Sequence, residues 1–150
     1  MKERDDWPGE GVEERRVRDA IWKALPSWTG FLIGIDGRDG TGKSTLARYL
    51  AWQLGLPTIE LDLFLEDDGK ISHRYDDIRR VARARLQRDR PLIIEGVCLL
   101  RALDYSSLAC DFLVTVDVRE YSGSETLRSI FEAYEEEYRP QERSSAIYQW

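Results

Sequence analysis

Phe31-Leu32-Ile33-Gly34-Ile35-Asp36-Gly37-Arg38-Asp39-Gly40-Thr41-Gly42-Lys43-Ser44-Thr45 is the stretch that decides how the remaining residues are read. Its Gly37-to-Ser44 portion matches the pattern G-x-x-x-x-G-K-[ST]. In that pattern the backbone N–H groups of a glycine-rich loop cradle a polyphosphate, the lysine reaches the outer phosphates, and the hydroxyl serves Mg²⁺. The pattern carries weight only between a strand and a helix, and the neighbouring residues supply both. Phe31 to Asp36 is a short apolar run of strand character, while Leu46, Tyr49, Leu50 and Leu54 recur at helical spacing from Thr45 onward. A strand turning through glycines into a helix aims its free N–H groups and the positive end of the helix dipole at one point. Gly37, Arg38, Asp39, Gly40, Thr41, Gly42, Lys43, Ser44 and Thr45 are therefore the candidate nucleotide-binding residues. Lys43 doubles as a catalytic cation and Ser44 as a metal ligand.

On the N-terminal side, residues 1–10 are charged and broken by Pro8 and Gly9, the pattern of a loose arm, which leaves 11–150 as a single domain. Val17, Ile21 and Leu25 mark an amphipathic helix from Gly11 to Leu25, stopped by Pro26. Beyond the loop and its helix, Gly55 and Pro57 introduce a second strand, Thr58 to Phe64. Asp62 is placed near the carboxyl end of that strand, where open α/β sheets bind ligands. It is a candidate catalytic carboxylate. Glu66 to Gly69 reads as a solvated turn, and the loop Lys70 to Tyr75 holds the sole histidine, His73, read as an ordinary surface residue. Asp76 to Arg88 is a helix with an arginine-rich solvated face.

Pro91-Leu92-Ile93-Ile94-Glu95-Gly96-Val97 is a continuous apolar run closed by an acid and a glycine, the pattern of a buried parallel strand. An acid at the end of such a strand beside a phosphate loop holds Mg²⁺ directly or through water, so Glu95 is the second candidate metal ligand. Cys98 to Leu103 forms a short helix or turn, and Asp111 to Val118 a fourth strand. Ser122 and Glu125 form a capping box that opens a helix running to Pro140. Ser145 to Trp150 adds a fifth, edge strand. Strands alternating with helices at this spacing imply right-handed crossovers, hence an α/β fold with a mainly parallel five-stranded sheet flanked by helices.

The chain has 22 basic and 28 acidic residues, a net charge of −6, which argues against nucleic acid or an anionic membrane as the main partner. No apolar run approaches the ~18 residues of a membrane span. Cys98 and Cys110 lack metal-ligand spacing and read as buried thiols in a cytosolic protein.

The loop with Ile33-Gly34-Ile35-Asp36 before it and Thr45-Leu46-Ala47 after it, the Asp62-x-Phe64 element, and Glu95-Gly96-Val97 with Leu99-Leu100 together resemble the uridine kinase and phosphoribulokinase group of P-loop kinases. The resemblance runs from about Phe31 to Val118. It implies a P-loop NTPase fold with the phosphate-loop strand in the middle of the sheet. It also implies ATP and Mg²⁺ as cofactors, and transfer of the γ-phosphate to a hydroxyl of a nucleoside, sugar or related small molecule. The matching aspartate, Asp62, would act as base or orient the acceptor, and Glu95 would lie near the metal. The paired lid arginines of that group have no close counterpart: Arg119, Arg128 and Arg139 are well separated, and Arg128 is the candidate for the role. The chain contains no asparagine and so cannot carry the guanine-reading N-K-x-D element of GTPase switches. An ATP-binding regulatory or scaffold protein with slow or no hydrolysis is the alternative reading.

Overall fold

A computed structural model describes residues 11–25, 29–118 and 123–149. The N-terminal arm, Pro26, Arg119 and Ser122 of the expected capping box lie outside the described residues. Helix α1 (Val12–Ala24) precedes β1 (Leu32–Asp36), α2 (Lys43–Leu54), β2 (Thr58–Glu60), α3 (Tyr75–Leu86), β3 (Leu92–Gly96), α4 (Leu99–Tyr105), β4 (Phe112–Asp117), α5 (Arg128–Tyr138), α6 (Pro140–Arg143) and β5 (Ala146–Gln149). The five strands form one sheet in the order β2-β3-β1-β4-β5. Every pairing in it is parallel.

Alternation along each strand divides the apolar side chains between two cores. Ile33 and Ile35 of β1, Ile93 of β3, and Phe112, Val114 and Val116 of β4 pack against Val17 and Ile21 of α1 and Leu46 and Leu50 of α2. Leu32, Leu92, Ile94 and Leu113 face the other way, onto α3, α4 and α5. With both faces covered, β1 and β3 are buried at every position, which is why they read as continuous apolar runs. Each fully buried Leu or Ile contributes about 1.5–3 kcal/mol, so burial at every position of β1 and β3 holds the central strands firmly. The fifth strand is a parallel edge strand as expected. Its outer side is tied to α1, where Tyr148 donates to Glu14 and Arg16 donates to the Ile147 carbonyl.

The second strand departs from expectation. Thr58 to Phe64 alternates like a strand, yet β2 ends at Glu60 and Leu61–Phe64 form a 3-10 turn. The cause is close packing at the end of β3. A Cβ on Gly96 would stand 2.6 Å from the Leu61 Cβ, so only glycine admits Leu61 there. The chain turns to bury Leu61 and leaves Leu63 at 68% exposure. Asp62 therefore sits on the turn after the strand, not within it. Pro140 likewise does not simply terminate a helix: α5 ends at Tyr138, its cap residue Arg139 takes φ 48°, and Pro140 opens α6 as its first residue.

Candidate active site

The phosphate loop spans the step from β1 to α2. Gly42 takes φ 88°, a left-handed conformation that costs glycine nothing and lets the chain enter α2 at Lys43. The helix thus begins two residues earlier than its apolar spacing shows. The Lys43 side chain lies back over the loop: its Nζ donates to the Arg38 carbonyl at 2.6 Å, and the Thr41 hydroxyl donates to the same oxygen at 2.7 Å. Burial lowers the Lys43 pKa, opposed by the nearby Glu95 and Asp36 carboxylates.

At the second residue of α2, Ser44 Oγ donates to Glu95 Oε1 at 2.9 Å. The register of the sheet makes that contact, since Glu95 is abreast of Ile35 on β1 and of Glu60 on β2. Glu95 is 2% exposed, and burial raises its pKa, with Asp62 and Glu60 adding to the shift and Ser44 and Lys43 opposing it. Glu60, Asp62 and Glu95 each bring one carboxylate oxygen within 4.8 Å of the others. Crowded oxygen donors beside a serine hydroxyl fit a hard divalent cation such as Mg²⁺. Asp62 is the exposed member of the three. Glu60, which also pairs with Arg48 at 2.8 Å, is a participant the sequence reading missed. Its only signal was a strand register that cannot be read before the pairing is known.

The opposite side of the loop is bound to the rest of the protein. Arg38 makes a two-pronged ion pair with Glu135 of α5, Nε to Oε1 and Nη2 to Oε2, both at 2.8 Å. Asp39 Oδ1 accepts from the Ser124 N–H at 2.8 Å. Asp36 is 1% exposed; its Oδ1 accepts from Gly37 N–H at 2.9 Å and Leu99 N–H at 3.3 Å, and its Oδ2 accepts from the Tyr134 hydroxyl. Burial raises the Asp36 pKa to about 6 in spite of these donors. A cleft of about 420 Å³ opens here, walled by Val116, Val118, Phe131 and Pro140 and lined at its polar edge by Arg38 and Glu135.

Arg128, the candidate lid residue, stands at the start of α5 in an ion pair with Glu125 at 3.0 Å. His73 is not on the surface. An antiparallel bridge to Leu65 folds residues 65–73 back on themselves and leaves the ring 3% exposed. Neither ring nitrogen has a hydrogen-bond partner among the described residues, and burial, with Arg101 nearby, lowers its pKa to about 4. Cys98 is buried and Cys110 half-buried, both as free thiols. Among the described residues no helix is long and apolar enough to cross a membrane.

A parallel sheet with the loop-bearing strand at its centre, carrying that loop into a helix opposite a strand-end glutamate, defines an α/β protein with the P-loop kinase fold. Solved structures of the same fold include a protein described as a possible uridine kinase from Bacillus stearothermophilus, with a TM-score of 0.67 at 16% identity over 91% of this chain and 97% of that one. They also include a protein provisionally named a fructose transport system kinase from Silicibacter sp. TM1040, with a TM-score of 0.54 at 17% identity over 89% of this chain and 84% of that one. No protein-family model matches the sequence. No curated protein matches it either.

Proposed function

We propose that this protein is an ATP-dependent kinase that transfers the γ-phosphate to a hydroxyl of a small molecule, in the class of nucleosides and sugars. The observation that carries the reading is the Ser44–Glu95 hydrogen bond, which ties the phosphate loop to the Glu60, Asp62 and Glu95 carboxylates at one end of the sheet. A phosphate-binding surface and a spare carboxylate are thereby neighbours, as phosphoryl transfer requires.

In this reading the N–H groups of Arg38 to Thr45 take the β- and γ-phosphates, the Gly37 N–H being held by Asp36. Lys43 leaves the Arg38 carbonyl to hold their outer oxygens. Ser44 and Glu95, with Glu60 beside them, would hold Mg²⁺, which supplies positive charge to the phosphate oxygens when bound. The nucleoside of ATP extends toward the cleft between the loop, β4 and α5, whose volume lies within the range of ligand pockets. The acceptor approaches from the β2–β3 side, where Asp62 is exposed. Its hydroxyl oxygen bonds to the γ-phosphorus as the bond to the β–γ bridging oxygen breaks. The hydroxyl proton passes to Asp62 and ADP departs. A protein that only hydrolyses ATP slowly would have no use for an acceptor.

The test is ADP release from Mg-ATP with and without pooled nucleosides, sugars and related alcohols, with Lys43→Ala as the blank. One pool should raise the rate well above the blank, and splitting that pool identifies the acceptor. ATP binding with no pool dependence would replace the kinase with a regulatory or scaffold protein.

A further inference from the structure

A glycine-rich loop binds phosphate through its backbone, so its affinity depends on how well its φ and ψ angles are fixed before the ligand arrives. Glycines lose more conformational freedom than other residues when they are ordered. Gly37, Gly40 and Gly42 make this loop a poor candidate for holding its own shape. Among the described residues, the inward brace that a nucleotide would disturb is the Lys43 amine on the Arg38 carbonyl, because that amine is the group that must reach the phosphates.

The remaining braces come from outside, and two of them are consecutive residues of α5. The Tyr134 hydroxyl accepts from the Leu100 N–H at 3.0 Å and donates to Asp36, so both its hydrogen-bonding roles are used and its direction is fixed. Asp36 in turn orients the Gly37 N–H, the first amide of the loop. One residue on, Glu135 grips the Arg38 guanidinium in a geometry that fixes orientation as well as distance. Arg38 is then held at its carbonyl from inside the loop and at its side chain from α5. When Lys43 departs, the second hold and the Thr41 hydroxyl remain.

We propose that Tyr134 and Glu135 are positioning residues of the nucleotide site, holding Gly37 to Asp39 in the phosphate-receiving conformation so that little ordering is left for binding to accomplish. The inference rests on the nucleotide-binding reading of the loop. Preorganisation of this kind acts on affinity and leaves the transfer step largely untouched.

The experiment is calorimetric titration with MgADP, below the unfolding temperature of every variant, together with KM for ATP and kcat. Tyr134→Phe keeps the ring in its core position and removes only the hydroxyl, and Glu135→Gln removes the charge at nearly constant volume. Each should raise the Kd for MgADP and the KM for ATP about tenfold, roughly the effect of removing one hydrogen bond to a charged group, with kcat changed less than about twofold. Tyr138→Phe is the control. Its ring stacks on Tyr134 with centroids 5.3 Å apart, and its hydroxyl meets Asp104 at 3.4 Å, away from the loop. Its Kd should equal that of the wild type. If wild type binds MgADP and both α5 variants bind it equally well, or if Tyr138→Phe weakens binding as much as Tyr134→Phe, the positioning role is overturned. If wild type itself does not bind MgADP, the nucleotide reading falls and this inference falls with it.

Discussion

Asp62 and Glu95 are both carboxylates at the carboxyl end of the sheet, and their surroundings give them different capacities. Glu95 is buried, accepts from Ser44, and has Glu60 and Asp62 beside it, so a cation is the natural occupant of its remaining lone pairs. Asp62 stands on a 3-10 turn, exposed to solvent, free to meet a substrate proton. Asp62→Asn keeps the size and polarity of the side chain and removes its basicity. We expect ATP affinity close to that of the wild type and a transfer rate lower by about 10²-fold or more, read from single-turnover ADP release with saturating acceptor. Equal rates would remove Asp62 from the reaction. At this scale the sequence was most informative where a motif fixes spacing along one segment: Lys43 and Ser44 stand where the loop pattern puts them. Glu60 and Asp36 were silent because their roles depend on neighbours in space, the first on parallel register with Glu95 and the second on a tyrosine of α5.

The segment between β2 and α3 shows how an element can conceal chemistry. Its sequence is a charged turn flanked by a lone histidine, which reads as surface. The backbone bonds Glu66 N–H to Ser72 O at 2.9 Å and Arg74 N–H to Phe64 O at 2.7 Å make it a hairpin instead, and its pleat turns His73 inward beside Tyr75. The fold thus keeps this imidazole neutral, with a pKa of about 4 against an unfolded value of 6.5. Because the folded value is the lower one, the unfolded chain binds the proton more readily at acid pH. The neutral ring's contribution is fully present above about pH 6.5 and is lost as pH falls toward about 4, a change of order 3 kcal/mol for a shift of this size. Asp36 acts in the opposite sense, since its raised pKa favours the folded state as pH falls through about 6. The histidine effect must therefore be read as a difference between proteins. Urea midpoints of wild type and His73→Phe should converge or reverse in favour of the variant between about pH 7 and about pH 4.5. Parallel pH profiles would show that the ring is not held neutral. The early end of β2 has a separate cause: the alternation of Ile59, Leu61 and Leu63 is genuine, but whether a strand continues depends on a partner, and Gly96 offers Leu61 a pocket where the partner strand ends.

At the scale of the whole molecule, the sheet order is what makes a site out of scattered residues. Placing β1 between β3 and β4 brings the loop after β1 beside Glu95 on one side and beside the cleft at the end of β4 on the other. The order follows from the burial of β1 and β3 on both faces, which the continuous apolar runs announce. The clasp of α5 on the loop does not follow from any pattern along the chain, because it joins residues 97 positions apart. Since the candidate site is assembled from the ends of four strands, β1 to β4, and from α2 and α5, the unfolded chain contains none of it. A nucleotide that occupies the site must therefore stabilise the folded state alone. At a free concentration of 100 times its Kd the gain is about 2.7 kcal/mol, and for a domain of this size each kcal/mol raises the unfolding temperature by about 2–4 °C. MgADP should accordingly raise the thermal midpoint of the wild type by about 5–10 °C. Removing Mg²⁺ with a chelator should reduce the shift, because the Ser44, Glu60 and Glu95 oxygens would then face the phosphates without an intervening cation. Lys43→Ala should abolish most of it at the same nucleotide concentration. Guanosine nucleotides, for which the chain has no asparagine-based reading element, should do no better than ADP. An unchanged midpoint in MgADP at saturating concentration would mean that the loop, though shaped for phosphate, does not bind it.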